Sequence, residues 1–165
     1  ISGDAAVDGG FLGGGGVIGG NVLIASGKIS AGSSPGTIHV GGNYDQDDTM
    51  LIEIEGYTQG VEYDFIDVTG AAAVSGILEM DLDPGVPIKA GDAFDVLTAG
   101  GGVSVDGPLD FENTGAPLWP AMFWQYALVD TDHTLQVSVG VPEPAAAALL
   151  ALGGLVLLLL ARRRR

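Results

Sequence analysis

The side chains in this chain that could do chemistry are few, and most are acidic. Cysteine is absent, which removes thiol catalysis, disulfides and Cys-based metal sites together. The two histidines are His39 and His133. His39 lies between Ile38 and Val40 and reads as the surface-facing residue of an alternating run, while His133 falls in an Asp-Thr-Asp-His turn. No H-E-x-x-H pair and no G-x-x-x-x-G-K-[ST] phosphate loop occurs, so the chain is not expected to be an enzyme. Glu53 with Glu55, and Glu79 with Asp81 and Asp83, place carboxylates about 7 Å apart on one strand face. Glycoside hydrolysis uses carboxyl pairs about 5 to 9 Å apart across a cleft. Any outward-facing acidic strand has the same spacing, and a solvated face that discourages edge aggregation is the preferred reading.

Calcium is the more plausible ligand for the acids. Asp45, Asp47 and Asp48 form a D-x-D-D cluster in a turn, and Asp130 with Asp132 form a second group. Hard cations take several oxygens at about 2.3 to 2.6 Å, and alternate aspartates on a turn supply them. Neither segment follows the twelve-residue EF-hand loop or the glycine-rich nonapeptide repeat. The expectation is weak calcium binding at Asp45, Asp47 and Asp48, with no other cofactor. Trp119, Phe123, Trp124 and Tyr126 gather most of the large aromatic surface. They make either a sugar-stacking platform or a hydrophobic cap over an open end of stacked strands. The cap is preferred, because Pro117 and Pro120 point to irregular packing there.

Charge is divided sharply along the chain. Residues 1–144 carry Lys28 and Lys89 against all 21 acidic residues, and four terminal arginines bring the net charge to −15. So acidic a segment repels phosphate backbones, which excludes a nucleic-acid partner. It suits a solvated extracellular surface.

The elements that would position these residues are strands. Met50 to Glu55, Ile77 to Asp83, Phe94 to Leu97 and Thr134 to Val139 alternate apolar with polar residues, the period of a half-buried strand. Weaker runs are Val22 to Ala25, Thr37 to Val40 and Phe65 to Val68. Gly41-Gly42-Asn43, Asp83-Pro84-Gly85, Ala90-Gly91-Asp92 and Gly100-Gly101-Gly102 separate them as turns. With 28 glycines and few helix-forming charged residues, the fold class is all-β. Either a β-solenoid or a sandwich fits. Small turn residues such as Gly27, Gly32, Gly36 and Gly70 would let solenoid rungs stack closely and favour that architecture.

The last 25 residues have a different construction. Val141-Pro142-Glu143-Pro144 precedes seventeen residues without a polar side chain, Ala145 to Ala161, and then Arg162, Arg163, Arg164 and Arg165. As a helix the apolar run would extend about 25 Å, at the short end for a hydrocarbon core of about 30 Å. The arginines would hold the C-terminus on the cytoplasmic side and residues before Pro142 on the other. This combination resembles the PEP-CTERM sorting signal of exported proteins in Gram-negative, often exopolysaccharide-producing bacteria. The resemblance implies that Pro142, Glu143 and Pro144 are recognised by exosortase, a membrane-embedded cysteine-protease-like enzyme that removes the anchor. The Gram-positive sortase system expects L-P-x-T-G, which does not occur.

A second resemblance covers about residues 27 to 105. Ala31-Gly32-Ser33-Ser34-Pro35-Gly36-Thr37-Ile38, then Gly42-Asn43-Tyr44, look like a segment near the ends of autotransporter-type passenger β-helices. Tyr63-Asp64, Val68 and Gly70, Gly76-Ile77-Leu78, and Gly91-Asp92 with Phe94, Val96 and Leu97 follow that family's order. Ala31 stands where the family usually has proline. The resemblance implies C-terminal rungs of a right-handed parallel β-helix. The full expectation adds one C-terminal transmembrane α-helix to that solenoid. Residues 1–20 read as a glycine-rich loop or worn rung, 21–140 as the exported β-rich domain with its cap, and 141–165 as the sorting signal.

Beginning at Ile1 without an export signal, the chain reads as the C-terminal part of a longer exported protein. The expected function is non-enzymatic, at the cell surface or in extracellular matrix, with exosortase, the membrane and exopolysaccharide as partners. The alternative is the C-terminal part of a β-helix polysaccharide lyase or glycoside hydrolase whose active site lies further upstream.

Overall fold

The computed structural model describes residues 1–32, 35–119 and 121–141. Twelve strands follow one another: β1 (Ala5–Gly14), β2 (Gly16–Ile18), β3 (Val22–Ala31), β4 (Thr37–Val40), β5 (Tyr44–Gln46) and β6 (Thr49–Ile54), then β7 (Phe65–Val68), β8 (Ala72–Leu82), β9 (Ala93–Ala99), β10 (Val103–Asn113), β11 (Phe123–Val129) and β12 (Thr134–Gly140). Each alternating run seen in the sequence lies within or largely within a strand. The glycine-rich first twenty residues also contain two strands, because Ala5, Val7 and Leu12 keep a partly buried face against β3.

The strands form two six-stranded sheets. One has the order β1-β3-β5-β8-β10, with β6 placed between β3 and β8 beyond β5, and all its pairings are parallel. The other has the order β11-β12-β9-β7-β4-β2. There β2, β4, β7 and β9 run parallel, while β12 is antiparallel to both β9 and β11.

That arrangement corrects the expected fold. The last strands are not rungs of a right-handed parallel β-helix: β11 and β12 are joined across Asp130 to His133, and so short a connection returns a strand only antiparallel. The expected transmembrane α-helix is corrected as well. The described residues form strands, turns and bends without any helix, and among them no helix is long and apolar enough to cross a membrane. The apolar run 145–161 lies outside the described residues.

The core fills the space between the sheets. Parallel register stacks like residues into columns, such as Ile29, Met50 and Leu78 on one sheet and Ile38, Ile66 and Leu97 on the other. All six are buried, each worth about 1.5 to 3 kcal/mol relative to exposure. Among the described residues Tyr44 is the largest side chain less than 2 % exposed. Its hydroxyl donates to Gln46 Oε1 at 2.7 Å, and Gln46 Nε2 donates to the Asp48 and Ser75 carbonyls at 3.2 and 3.1 Å. The buried polar pair is thus satisfied from within.

The chain passes from one sheet to the other through stacked corners. Gly42, Gly70 and Gly101 donate in turn to the carbonyls of Gly20, Gly42 and Gly70 at 2.8 to 2.9 Å. Beside them Asp4 Oδ1 accepts from Asn21 N, Asn21 Oδ1 from Asn43 N, and Asn43 Oδ1 from Ala71 N, at 2.7 to 3.0 Å. The side-chain ladder satisfies corner amides that no sheet bond reaches. Glycine is required here by approach distance: a Cβ on Gly70 would stand 2.6 Å from the Gly42 carbonyl oxygen. Gly70→Ala is therefore expected to lower stability by roughly 1 to 3 kcal/mol in urea denaturation, through overpacking.

Candidate functional site

Asp64 is the most unusual polar residue of the fold, a carboxylate with no exposed surface. Its Oδ1 accepts from Gly36 N at 3.0 Å, and its Oδ2 from Ser30 Oγ and Glu53 N, both at 3.2 Å. The three donors belong to β3, to the turn before β4 and to β6. Asp64 thereby pins the 35–36 turn to the sheet face. Burial pushes its carboxyl up to about 7, against the opposing pull of its hydrogen-bond donors. With its three hydrogen bonds drawn from the protein's own backbone and Ser30, the group acts as a clamp between these segments.

The outward acids are arranged as a surface. Glu53 and Asp81 are cross-strand partners on β6 and β8, and with Glu55 and Asp83 they line a depression of about 310 Å³ beside Pro84 and Ala116. Each titratable group lining it is a carboxylate, so it repels anionic sugars and draws cations diffusely. Glu79 lies apart from them: it is nearly buried and pairs with Lys28.

The aspartates considered for calcium are largely spent on the strands. Asp45 is exposed, Asp47 Oδ1 accepts from Ser75 Oγ at 3.2 Å, and Asp48 accepts from Gly27 N at 2.6 Å and Thr49 Oγ1 at 3.0 Å. Among the described residues no group of three or more His, Cys, Asp or Glu side chains is placed to hold a metal ion.

The histidines are both exposed. His39 Nδ1 lies 2.9 Å from Asp67 Oδ2, its register partner on β7. His133 Nδ1 is 2.9 Å from the Thr131 carbonyl. The turn carrying it is strained, with Asp130, Thr131 and Asp132 at φ of 53°, 54° and 61°. Val103 N to Asp132 O at 2.6 Å and Ala99 N to His133 O at 2.9 Å latch this tip onto the last stacked corner and offset the strain.

Of the four aromatics, Trp124 alone is buried, meeting Phe94 edge-on at 6.4 Å between centroids. Tyr126 lies tilted against Phe111 at 6.5 Å, and Phe123 is 44 % exposed. Trp119 is separate from these three and 71 % exposed. It lines an open, mainly apolar hollow of about 350 Å³ together with Pro87, Ile88, Lys89, Ala90 and Met122. Sequence reasoning placed Trp119 with the cap and passed over this hollow, because Pro87 to Ala90 and Met122 are 32 or more positions apart in the chain.

No family model matches the chain. No curated protein matches it either. Pro142, Glu143, Pro144 and Arg162 to Arg165 lie outside the described residues, as do Ser33, Ser34 and Pro120. The described part ends at Val141, one residue past β12.

Proposed function

We propose that this chain is an exported, non-enzymatic surface or extracellular-matrix protein, delivered by a sorting signal over residues 141–165. The tripeptide Pro142-Glu143-Pro144 would be recognised and cut by an exosortase-type membrane protease. The apolar run engages the membrane, and Arg162 to Arg165 orient it. The cell surface or matrix of a Gram-negative, exopolysaccharide-producing bacterium is then the destination, with adhesion or scaffolding within a biofilm as the role.

The observation carrying this reading is the succession of Pro-Glu-Pro, apolar run and terminal arginines directly after the final strand. A protease acting at Pro142 to Pro144 would release the β-rich body as a unit, since Val139, the last core residue among those described, precedes the tripeptide. The strongly acidic body supports a solvated extracellular setting.

Intact mass of the protein recovered from an exosortase-bearing host tests the reading. The parent chain is expected to end near residue 143 and to lack the arginines. A chain carrying Pro142→Ala, Glu143→Ala and Pro144→Ala is expected to retain them. Parent protein with its arginines intact would refute the sorting reading.

A further inference from the structure

We propose that the hollow formed by Pro87, Ile88, Lys89, Ala90, Trp119 and Met122 is a docking site for this chain's own Pro142-Glu143-Pro144 segment. Position comes first. Val139 exchanges hydrogen bonds with the 91–92 segment, Gly91 N to Val139 O at 2.8 Å and Val139 N to Asp92 O at 2.9 Å. On its other side Gly140 is the register partner of Phe123. Continuing that β11 register by one residue sets Val141 opposite Met122, which lines the hollow together with Ala90 of the turn just before Gly91. The chain therefore leaves its last strand at the mouth of this site.

Chemistry agrees with position. Val141 and Glu143 each precede a proline, which restricts both to extended or polyproline conformations. Such segments lose little entropy on binding, and aromatic-lined grooves are their usual receptors. Trp119 offers an exposed indole for the proline rings. Charge is also complementary: among the described residues Lys28 is ion-paired with Glu79, whereas Lys89 has no salt bridge. At about 3.1 Å per residue in a polyproline segment, Glu143 lies about 6 Å beyond Val141, within reach of a lysine side chain.

The wall of the hollow is held ready. Asp92 Oδ2 accepts from Lys89 N at 2.7 Å and lies 2.8 Å from the Tyr57 hydroxyl, so residues 87–92 are tied down before any segment arrives. Trp119 O accepts from Met122 N at 2.9 Å, which fixes the opposite wall. The docked segment is covered on the body side, and its exposure to any protease then depends on an intramolecular equilibrium.

The absence of cysteine makes the test direct. In the full chain, kept soluble in phospholipid nanodiscs, Ala90→Cys with Pro144→Cys is equilibrated against a glutathione redox buffer, and the intramolecular disulfide is quantified by mass. The disulfide is expected to form. Adding Trp119→Ala should lower its effective concentration about tenfold, and adding Lys89→Glu about threefold. Combining Lys89→Glu with Glu143→Lys should restore the second loss. Trp119 and Lys89 are exposed, so these changes leave the core intact, and Trp124 fluorescence confirms it. A disulfide indifferent to all three substitutions would reflect only the short tether and would overturn the proposal. A disulfide formed between copies would assign the hollow to a second molecule and overturn it equally. The assay contains no protease, so its outcome is independent of whether the tripeptide is a sorting signal.

Discussion

Replacing Asp64 by alanine is expected to lower the unfolding free energy by roughly 3 to 5 kcal/mol, among the largest effects of any polar substitution in the chain. The change removes the shared acceptor of Gly36 N, Ser30 Oγ and Glu53 N in a place water does not reach. A buried donor left unpaired costs about 1 to 3 kcal/mol, and relaxation of the 35–36 turn recovers part of the sum. Asp64→Asn isolates the contribution of charge. In the folded chain burial holds the carboxyl near 7, whereas in the unfolded chain it titrates near the ordinary 3.8. The folded state therefore favours the proton. The stabilisation is complete below about pH 4, declines as pH rises from 4 through 7, and is absent above that window. At about 1.4 kcal/mol per pKa unit, the decline amounts to a few kcal/mol. The stability difference between the parent and Asp64→Asn, measured by urea denaturation at pH 4.5 and pH 8, should be larger at the lower pH. An equal difference at both values would mean that Asp64 does not titrate in this window.

Phe94→Ala is the second expected large loss, about 3 to 5 kcal/mol. Phe94 has no exposed surface and is the ring on which three others converge. Tyr57 stacks on it at 5.8 Å, Tyr63 meets it edge-on at 5.2 Å, and Trp124 at 6.4 Å. Those partners come from the 55–64 segment and from β11, so this side chain ties the irregular crossover and the antiparallel hairpin to β9. Aromatic pairs add about 0.5 to 1.5 kcal/mol each beyond area burial, and the surrounding rings are too rigid to fill the space left behind. Phe94→Leu should recover more than half of the loss. The signature is a changed environment for Trp124, visible as a red-shifted and quenched emission before global unfolding. An alanine variant with parental stability would show that the hairpin is held by its backbone bonds alone.

Local pattern made much of this fold readable. In β6 and β8 the acids Glu53 and Asp81 alternate with Ile52, Ile54, Met80 and Leu82, and a period of two leaves one way to place them. Gly70 was legible as a residue that permits close stacking, since no other side chain fits beneath the next corner. Other parts were hidden for physical reasons. The β1 strand is rich in glycine and draws its definition from pairing with β3 rather than from its own side chains. The run Val103–Asn113 is broken by Gly107 and Pro108, and a register shift between Val105 and Leu109 absorbs them in β10.

The amino-acid sequence by itself determined the all-β class, the acidic character of the body and the apolar and arginine-rich composition of its last residues. Each depends on residue type or on spacing within a few positions, where side-chain sterics and solvation act directly. Only the tertiary structure decided that the last strands turn antiparallel and that Asp64 is enclosed by donors from three separate segments. It alone brought Trp119, Met122 and Lys89 to one hollow. Those outcomes join residues tens of positions apart, and which distant groups meet is settled by sheet register and core packing rather than by any local preference.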